Sequence, residues 1–339
     1  MQHPTWTRPL LALPFLLAGC AGWPSALDPK GPTAADLAWL IQLFTVLLGV
    51  IWLLVVLAVG LVVFRRRWTA AAMPMPKAVH PSEERRPTVI VMALVVATCI
   101  TVLVLTGLSF AGQQRLFGVD EPAVTIQVTG HQWWWEVRYQ DGDPSRVFTT
   151  ANEIHVPVGL SIRLVLESDD VIHSFWVPNL AGKQDLVPGQ QNQLGFTVTE
   201  PGIYRGQCAE FCGLQHAHMG IIVVAESEPA FRAWQEAQIR PGKLPETAEQ
   251  RQGMQVFLSH ACVMCHAVRG TPAGGRTGPD LTHVGSRRHL AAATLPLTRG
   301  SLAAWIADPH GIKPGVNMPI VPLASDELNS LAAYLEGLK

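Results

Sequence analysis

Residues 208–219 read CAEFCGLQHAHM, so two thiols, two imidazoles, a carboxylate and a thioether fall within twelve residues of a chain that has only six cysteines. Thiolate, thioether and imidazole donors together select copper over hard cations. A blue-copper site uses one Cys, two His and a weak Met, and here there is one Cys more than that. Two thiolates on a tight loop can each bridge two metals, and a copper pair then needs two imidazoles and two weaker ligands. His216 and Met219 lie in the loop itself, and the upstream stretch ESDDVIHSFWVP supplies His173. Zinc also binds Cys pairs with His, but it has no use for Met219 together with His173.

A second stretch, CVMCH at 262–266, is the attachment signature of a c-type haem. Cys262 and Cys265 add to the haem vinyl groups, and the adjacent His266 is held under the iron. Of the other cysteines, Cys20 is near the N-terminus and Cys99 lies inside an apolar run. Two close pairs and two singles are the distribution of ligands and attachment points, not of a disulfide framework.

The elements that must position these residues follow from patterning. AVTIQV, EIHVPV, SIRLVL, QLGFTV and GIIVVA are short alternating or β-branched runs separated by Gly, Pro, Asp and Asn, which predicts an antiparallel sandwich or barrel. SEPAFRAWQEAQI reads as a closing helix with Ser227 as its cap, and RPGKLPET (240–247) as a linker. Amphipathic helices, AEQRQGMQVFLSH and SDELNSLAAYLEGL, stand at either end of the module that carries CVMCH.

Upstream, the chain runs uncharged over 37–64 and again over 88–114. Each stretch exceeds the ~20 apolar residues that span a bilayer. Arg65, Arg66, Arg67, Lys77, Arg85 and Arg86 lie between them and put the loop 65–87 in the cytoplasm, with both ends of the mature chain outside. The first 19 residues read as an export signal. Leu17-Ala18-Gly19-Cys20 resembles a bacterial lipobox, which would make Cys20 the lipidated N-terminus of an exported segment, 20–36. With 48% hydrophobic residues, 15% charged residues and a formal net charge of −1, nothing points to nucleic acid. Acidic residues outnumber basic ones 15 to 7 over 115–239, which favours basic partners there.

Taken together, GHQWWWEVRY, DDVIHSFWVPNLAGKQDLVPG, YRGQCAEFCGLQHAHMG and the two-span hairpin resemble subunit II of haem–copper cytochrome c oxidases. The resemblance covers most of 37–239 and implies a cupredoxin-like Greek-key domain (113–239) on spans 37–64 and 88–112, holding the binuclear copper centre CuA. By its pattern, Cys208 and Cys212 would bridge both coppers. His173 and Met219 would complete one copper, and His216 with the backbone carbonyl of Glu210 the other. The Glu210 side chain would face a magnesium or manganese site shared with subunit I, and electrons would enter at Trp133. His218 is left beside the site, and His131 and His155 as structural. CVMCH with TGPDL at 277–281 resembles class I cytochrome c, an all-α domain over 248–339. There the Pro279 carbonyl would hold His266, and Met318, downstream in GVNMPI, would be the sixth iron ligand. Met254 and Met264 are too close to the attachment motif. His260, His283, His289 and His310 are read as surface or packing residues.

Oxidases of the caa3 type carry such a fused cytochrome. The implied role is electron input: from a cytochrome c or bc1-type donor to haem c, to CuA and on to a haem of subunit I. There, with subunit III alongside, oxygen is reduced and protons are pumped. The implied location is a bacterial inner membrane with both redox domains on the periplasmic side. Gln190 stands where the family commonly carries arginine, which puts one polar contact near subunit I in doubt. Glu83 and Glu84, near the start of the second span, stand where relatives admit protons, although a surface charge beside Arg85 and Arg86 is the simpler reading. A CuA-containing nitric oxide reductase subunit and a free-standing membrane electron carrier are the competing assignments. A quinol oxidase subunit lacks these copper ligands and is excluded.

Overall fold

The computed structural model describes residues 24–68, 81–116 and 121–339. The signal region with Cys20, and Lys77, fall outside these residues, and Glu83 and Glu84 are described only as backbone within a helix.

Two long helices come first, α1 (Pro32–Trp68) and α2 (Pro81–Leu116). Their segments Pro32–Arg65 and Arg85–Gln113 are long and apolar enough to cross a membrane, and almost none of that surface is buried within the protein. Three of their hydroxyls, on Thr45, Thr98 and Thr101, donate to carbonyls one turn back, as an apolar solvent demands. Both helices outrun the uncharged stretches, because helical backbone continues past the first charge. Just before α1 the chain is strapped to the β domain, with Lys30 N–H donating to Asn179 O at 2.8 Å and Thr199 N–H donating to Lys30 O at 2.8 Å.

Ten strands follow: β1 (Val124–His131), β2 (Trp134–Gln140), β3 (Phe148–Ala151), β4 (Glu153–Pro157), β5 (Ser161–Ser168), β6 (His173–Trp176), β7 (Gln184–Leu186), β8 (Asn192–Thr197), β9 (Gly202–Cys208) and β10 (Gly220–Glu226). They form two five-stranded sheets, ordered β3-β2-β1-β5-β8 and β4-β10-β9-β6-β7. Most neighbours are antiparallel, but β1 pairs with β5, and β4 with β10, in parallel. Neither pair is consecutive in sequence, so the chain reaches its neighbour by crossing rather than by a hairpin. Strand β5 shows why the sheets stack: Ile162, Leu164 and Leu166 point inward, fully buried, while Arg163, Val165 and Glu167 alternate outward. Each such aliphatic side chain contributes about 1.5–3 kcal/mol by burial.

Helix α3 (Glu228–Ile239) closes one end of the sandwich, where the Trp234 ring stacks on His155 and meets Tyr139 and Phe148 edge-on. Ser227 occupies the N-cap position of α3 but its hydroxyl makes no cap hydrogen bond; Pro229 and Glu228 favour the first turn instead. After 240–247, α4 (Ala248–Ser259) opens on a capping box between Thr247 and Gln250. The module continues through α5 (Cys262–Cys265), a short hairpin of β11 (His289–Leu290) and β12 (Leu295–Pro296), α6 (Arg299–Ala307), α7 (Pro309–Ile312) and α8 (Ser325–Gly337). Its core is the crossing of α4 with α8, built on Val256, Phe257, Leu331, Tyr334 and Leu335.

Candidate metal and haem sites

The end of β9 and the loop to β10 bring the thiols together. Cys208, the last residue of β9, and Cys212 are both buried, with their sulfurs 3.8 Å apart. Around them stand the other predicted donors. His173 Nδ1, at the start of β6, is 3.9 Å from Cys208 Sγ. His216 Nδ1 and Met219 Sδ lie 3.6 and 3.8 Å from Cys212 Sγ. The Glu210 carbonyl oxygen is 3.2 Å from Cys208 Sγ. The other four predicted copper donors therefore surround the one pair of sulfurs, and all six stand together. His173, Cys208 and Cys212 have donor atoms within 4.8 Å of one another, all three residues buried.

This donor set fits a cationic soft metal. The hydrogen bond from Cys212 holds the Cys208 thiol far down, to about 3, whereas the same contact together with burial pushes Cys212 up. Without a cation, one proton serves both sulfurs. A thiolate facing a carbonyl oxygen sets acceptor against acceptor, an arrangement that a metal between them relieves. His173 is aimed by Asp170, whose carboxylate oxygen lies 2.8 Å from Nε2 and leaves Nδ1 toward the sulfur. A carboxylate behind a ligating imidazole fixes its tautomer and raises its basicity. Asp170 carried no signal in the sequence beyond a polar turn. Among the described residues, no cluster of metal-ligating side chains includes the Glu210 carboxylate.

The second site is a cavity of about 520 Å³ lined by Cys262, Cys265, His266, Pro279 and Met318, a size suited to a large prosthetic group. His266 Nδ1 donates to Pro279 O at 2.8 Å, leaving Nε2 free to ligate, and burial holds its pKa below the ordinary imidazole value. Met264 is 75% exposed and Met254 packs into the helical core, so neither competes with Met318. Three residues of the cavity wall carry a buried polar atom without a partner: His131 at Nε2, Arg287 at Nε and His289 at Nδ1. Buried donors of this kind suit the carboxylates of a haem. Arg287 did not stand out in the sequence, His131 was read as structural and His289 as a surface or packing residue.

The cavity wall is shared. His131, Trp133 and Trp134 of the β domain line it with the cytochrome residues. Trp133 is buried, and its Nε1 donates to Cys212 O at 2.9 Å. One indole thus faces the haem cavity and touches the backbone of a candidate copper ligand. His131 stacks on Trp134 at 4.4 Å. His155 is buried between Glu153 and Glu226, at 3.1 and 2.8 Å. His218 is exposed, with Nδ1 turned to Gln215 Oε1 and away from the sulfurs. His283, expected at the surface or in packing, is buried and bonded to Arg240 O.

Two family profiles match: "Cytochrome C oxidase subunit II, periplasmic domain" over residues 142–226 and "Cytochrome c" over residues 250–339. Cytochrome c oxidase subunit 2 of Alkalihalophilus pseudofirmus is 35% identical over 335 residues, which is 98% of this chain and 96% of that protein. The subunit 2 of Bacillus subtilis is 33% identical, covering 97% of this chain and 96% of its own. Among solved structures, the periplasmic domain of subunit II of cytochrome oxidase from Bradyrhizobium japonicum is 32% identical over 35% of this chain and 96% of that one, with a TM-score of 0.34.

Proposed function

This chain belongs to the cytochrome c oxidase subunit 2 family, and we propose that it admits electrons to a haem–copper oxidase through two centres held by its own residues. When bound, a copper pair and a haem c exchange single electrons without making or breaking bonds to substrate. Cys208, Cys212, His173, His216, Met219 and the Glu210 carbonyl would hold the copper pair, and the β frame keeps these donors in place. Cys262 and Cys265 would anchor the haem, and His266 and Met318 would hold its iron. His/Met ligation raises the potential into a range suited to electron transfer. Trp133, which lines the haem cavity and donates to the Cys212 carbonyl, would serve as the route for electrons between the two sites.

The single observation that carries this reading is the convergence of four donors, His173, His216, Met219 and the Glu210 carbonyl, on the Cys208–Cys212 sulfur pair beside a cavity shared with Trp133. As subunit II, the protein works beside a catalytic subunit I. Several finer points extend the proposal. The Glu210 carboxylate joins a magnesium or manganese ion at that contact, and subunit III accompanies the pair. The donor is a cytochrome c or a bc1-type complex. The membrane is a bacterial inner membrane, with β and helical domains on its outer side and Cys20 lipidated.

The test is optical and electron paramagnetic resonance spectroscopy of the full chain, matured with copper and haem. Hyperfine coupling to two equivalent coppers beside a low-spin His/Met haem is the expected result. A single-copper pattern would overturn the binuclear assignment.

A further inference from the structure

Lys313 lies five residues before Met318, in DPHGIKPGVNMP. It is 2% exposed and among the largest fully buried side chains of the protein. Lysine is almost never fully buried unless paired. Its partners here are main-chain carbonyls: Trp133 O at 3.0 Å, His218 O at 2.8 Å and Ala291 O at 3.2 Å. An ammonium has three donors and no acceptor, so one side chain saturates three carbonyls. They come from three segments: the start of the β1–β2 connection's far side at Trp133, the 216–218 turn of the copper loop, and the cytochrome module's own 291–293 turn. Burial pushes the Lys313 pKa down to about 8.

The third of these segments is strained. Ala291, Ala292 and Ala293 have φ of 52°, 56° and 59°, the left-handed region that alanine adopts only at a cost. Each is held there from outside the turn. Ala291 O accepts from Lys313, Ala292 O accepts from Gly220 N–H at 3.0 Å, and the Ala293 side chain is buried against Ile222 and Val224 of β10. Gln215 Nε2 adds a bond to Pro314 O at 2.7 Å. A strained backbone and a buried cation without a carboxylate meet on the same seam between the domains, and such features persist where the surroundings over-determine them.

We propose that Lys313 is a positioning residue that clasps the haem module onto the copper loop, so that the docked arrangement, not a free-swinging tether, is the state in which electrons cross. The kinetic consequence rests on the two-centre reading given above; the clasp itself does not. Tunnelling falls steeply with distance, so a fixed seam sets the transfer rate. The clasp also covers Trp133, which is 8% exposed, so an outside donor reaches this chain at the haem and not at the indole.

The experiment compares the full copper- and haem-loaded protein with Lys313→Met, which keeps an apolar stem but no donors, and with Ala293→Glu, which opens the seam from its other side. Three quantities are read: the spectra of both centres, hydrogen exchange at the Gly220 amide, and the rate of haem-to-copper equilibration after flash reduction. In Lys313→Met both spectra stay as in the parent, Gly220 exchanges at least about tenfold faster, and equilibration slows by at least about tenfold, the scale of losing buried charged hydrogen bonds. Ala293→Glu gives the same pattern. Unchanged exchange and rate in Lys313→Met overturn the clasp. If Lys313→Met does not fold, Ala293→Glu decides: faster exchange with slower transfer supports docking as the working state, and an unchanged rate overturns it. Spectra lacking a copper pair or a His/Met haem in the parent would sink the functional reading instead, while the exchange data still judge the clasp.

Discussion

The indole Nε1 of Trp133 donates to the main-chain carbonyl of Cys212 at 2.9 Å, while the same ring lines the cavity that holds His266 and Met318. One side chain and one hydrogen bond therefore join the candidate haem cavity to the candidate copper loop. Gln132 Nε2 donates to the same carbonyl at 2.7 Å, so the copper loop is pinned to the end of the first sheet by two side chains.

Trp133→Phe should separate the ring's packing role from its hydrogen bond. Phenylalanine keeps an apolar filler but cannot donate to Cys212 O, which retains only the Gln132 bond. The expected stability loss is about 1–2 kcal/mol, the cost of one buried hydrogen bond and some lost contact. Copper and haem spectra should persist, and haem-to-copper transfer should slow. Denaturant titration paired with flash reduction checks both parts, and an unchanged transfer rate would remove Trp133 from the path.

Asp170→Ala should weaken copper binding without removing any ligand. The carboxylate accepts from His173 Nε2 and from the Gln132 backbone N–H at 2.6 Å, and so it aims the imidazole and steadies the loop beside it. Removing the partner behind a ligating histidine typically costs about 10–100-fold in metal affinity. Competition against a copper chelator gives the number directly. Affinity equal to that of the parent would mean that the buried position of His173 alone fixes its ring.

Much of this was legible in the sequence because soft ligands and attachment thiols are rare residue types at fixed spacing. The donors at 208–219, the CVMCH motif and the two uncharged spans are signals of that kind. The outward alternation of β5 was equally plain. By contrast, β2, β6, β7 and β9 are short or mix aromatic with polar residues, and their strand character comes from pairing with neighbours rather than from period. The parallel β1–β5 and β4–β10 pairs were hidden for the same reason: register between distant strands is a tertiary fact. Lys313 was invisible for another. A lysine between Ile312 and Pro314 reads as a solvated loop cation, and its partners are backbone carbonyls, which leave no mark on a sequence.

Gly278→Ala should damage the haem site from the proximal side. A Cβ there would lie 2.8 Å from His266 Cε1 and 3.1 Å from its Nδ1, closer than real contacts allow. The ring cannot swing aside without giving up its 2.8 Å bond to Pro279 O. Overpacking of this kind costs about 1–3 kcal/mol. The optical spectrum of the matured protein should show weakened His266 ligation, with copper binding in the other domain unaffected. A spectrum identical to that of the parent would show that the 277–281 segment yields more readily than the ring.

The helical module should lose stability in mild acid, and His283 should carry part of that loss. Its ring is buried, and desolvation holds its pKa below 6.5, against the opposing pull of its hydrogen bond to Arg240 O at 3.0 Å. A histidine kept neutral by folding binds fewer protons folded than unfolded, so stability rises with pH across the window between the two values. The contribution is complete above pH 6.5 and is lost as the pH falls below 6.5 toward the folded pKa. His266 shifts in the same direction, but on the reading proposed above iron ligation would occupy its free nitrogen in the matured protein. The slope that remains therefore belongs to His283 and to the half-buried His289, whose pKa desolvation also lowers. Denaturant midpoints followed in the haem absorbance should fall between pH 7.5 and pH 5 in the parent. In His283→Gln, which can still donate to Arg240 O but cannot take up a proton, that fall should be shallower. Equal slopes in the two proteins would mean that the seam between the linker and the 283–286 turn opens to solvent before the ring titrates.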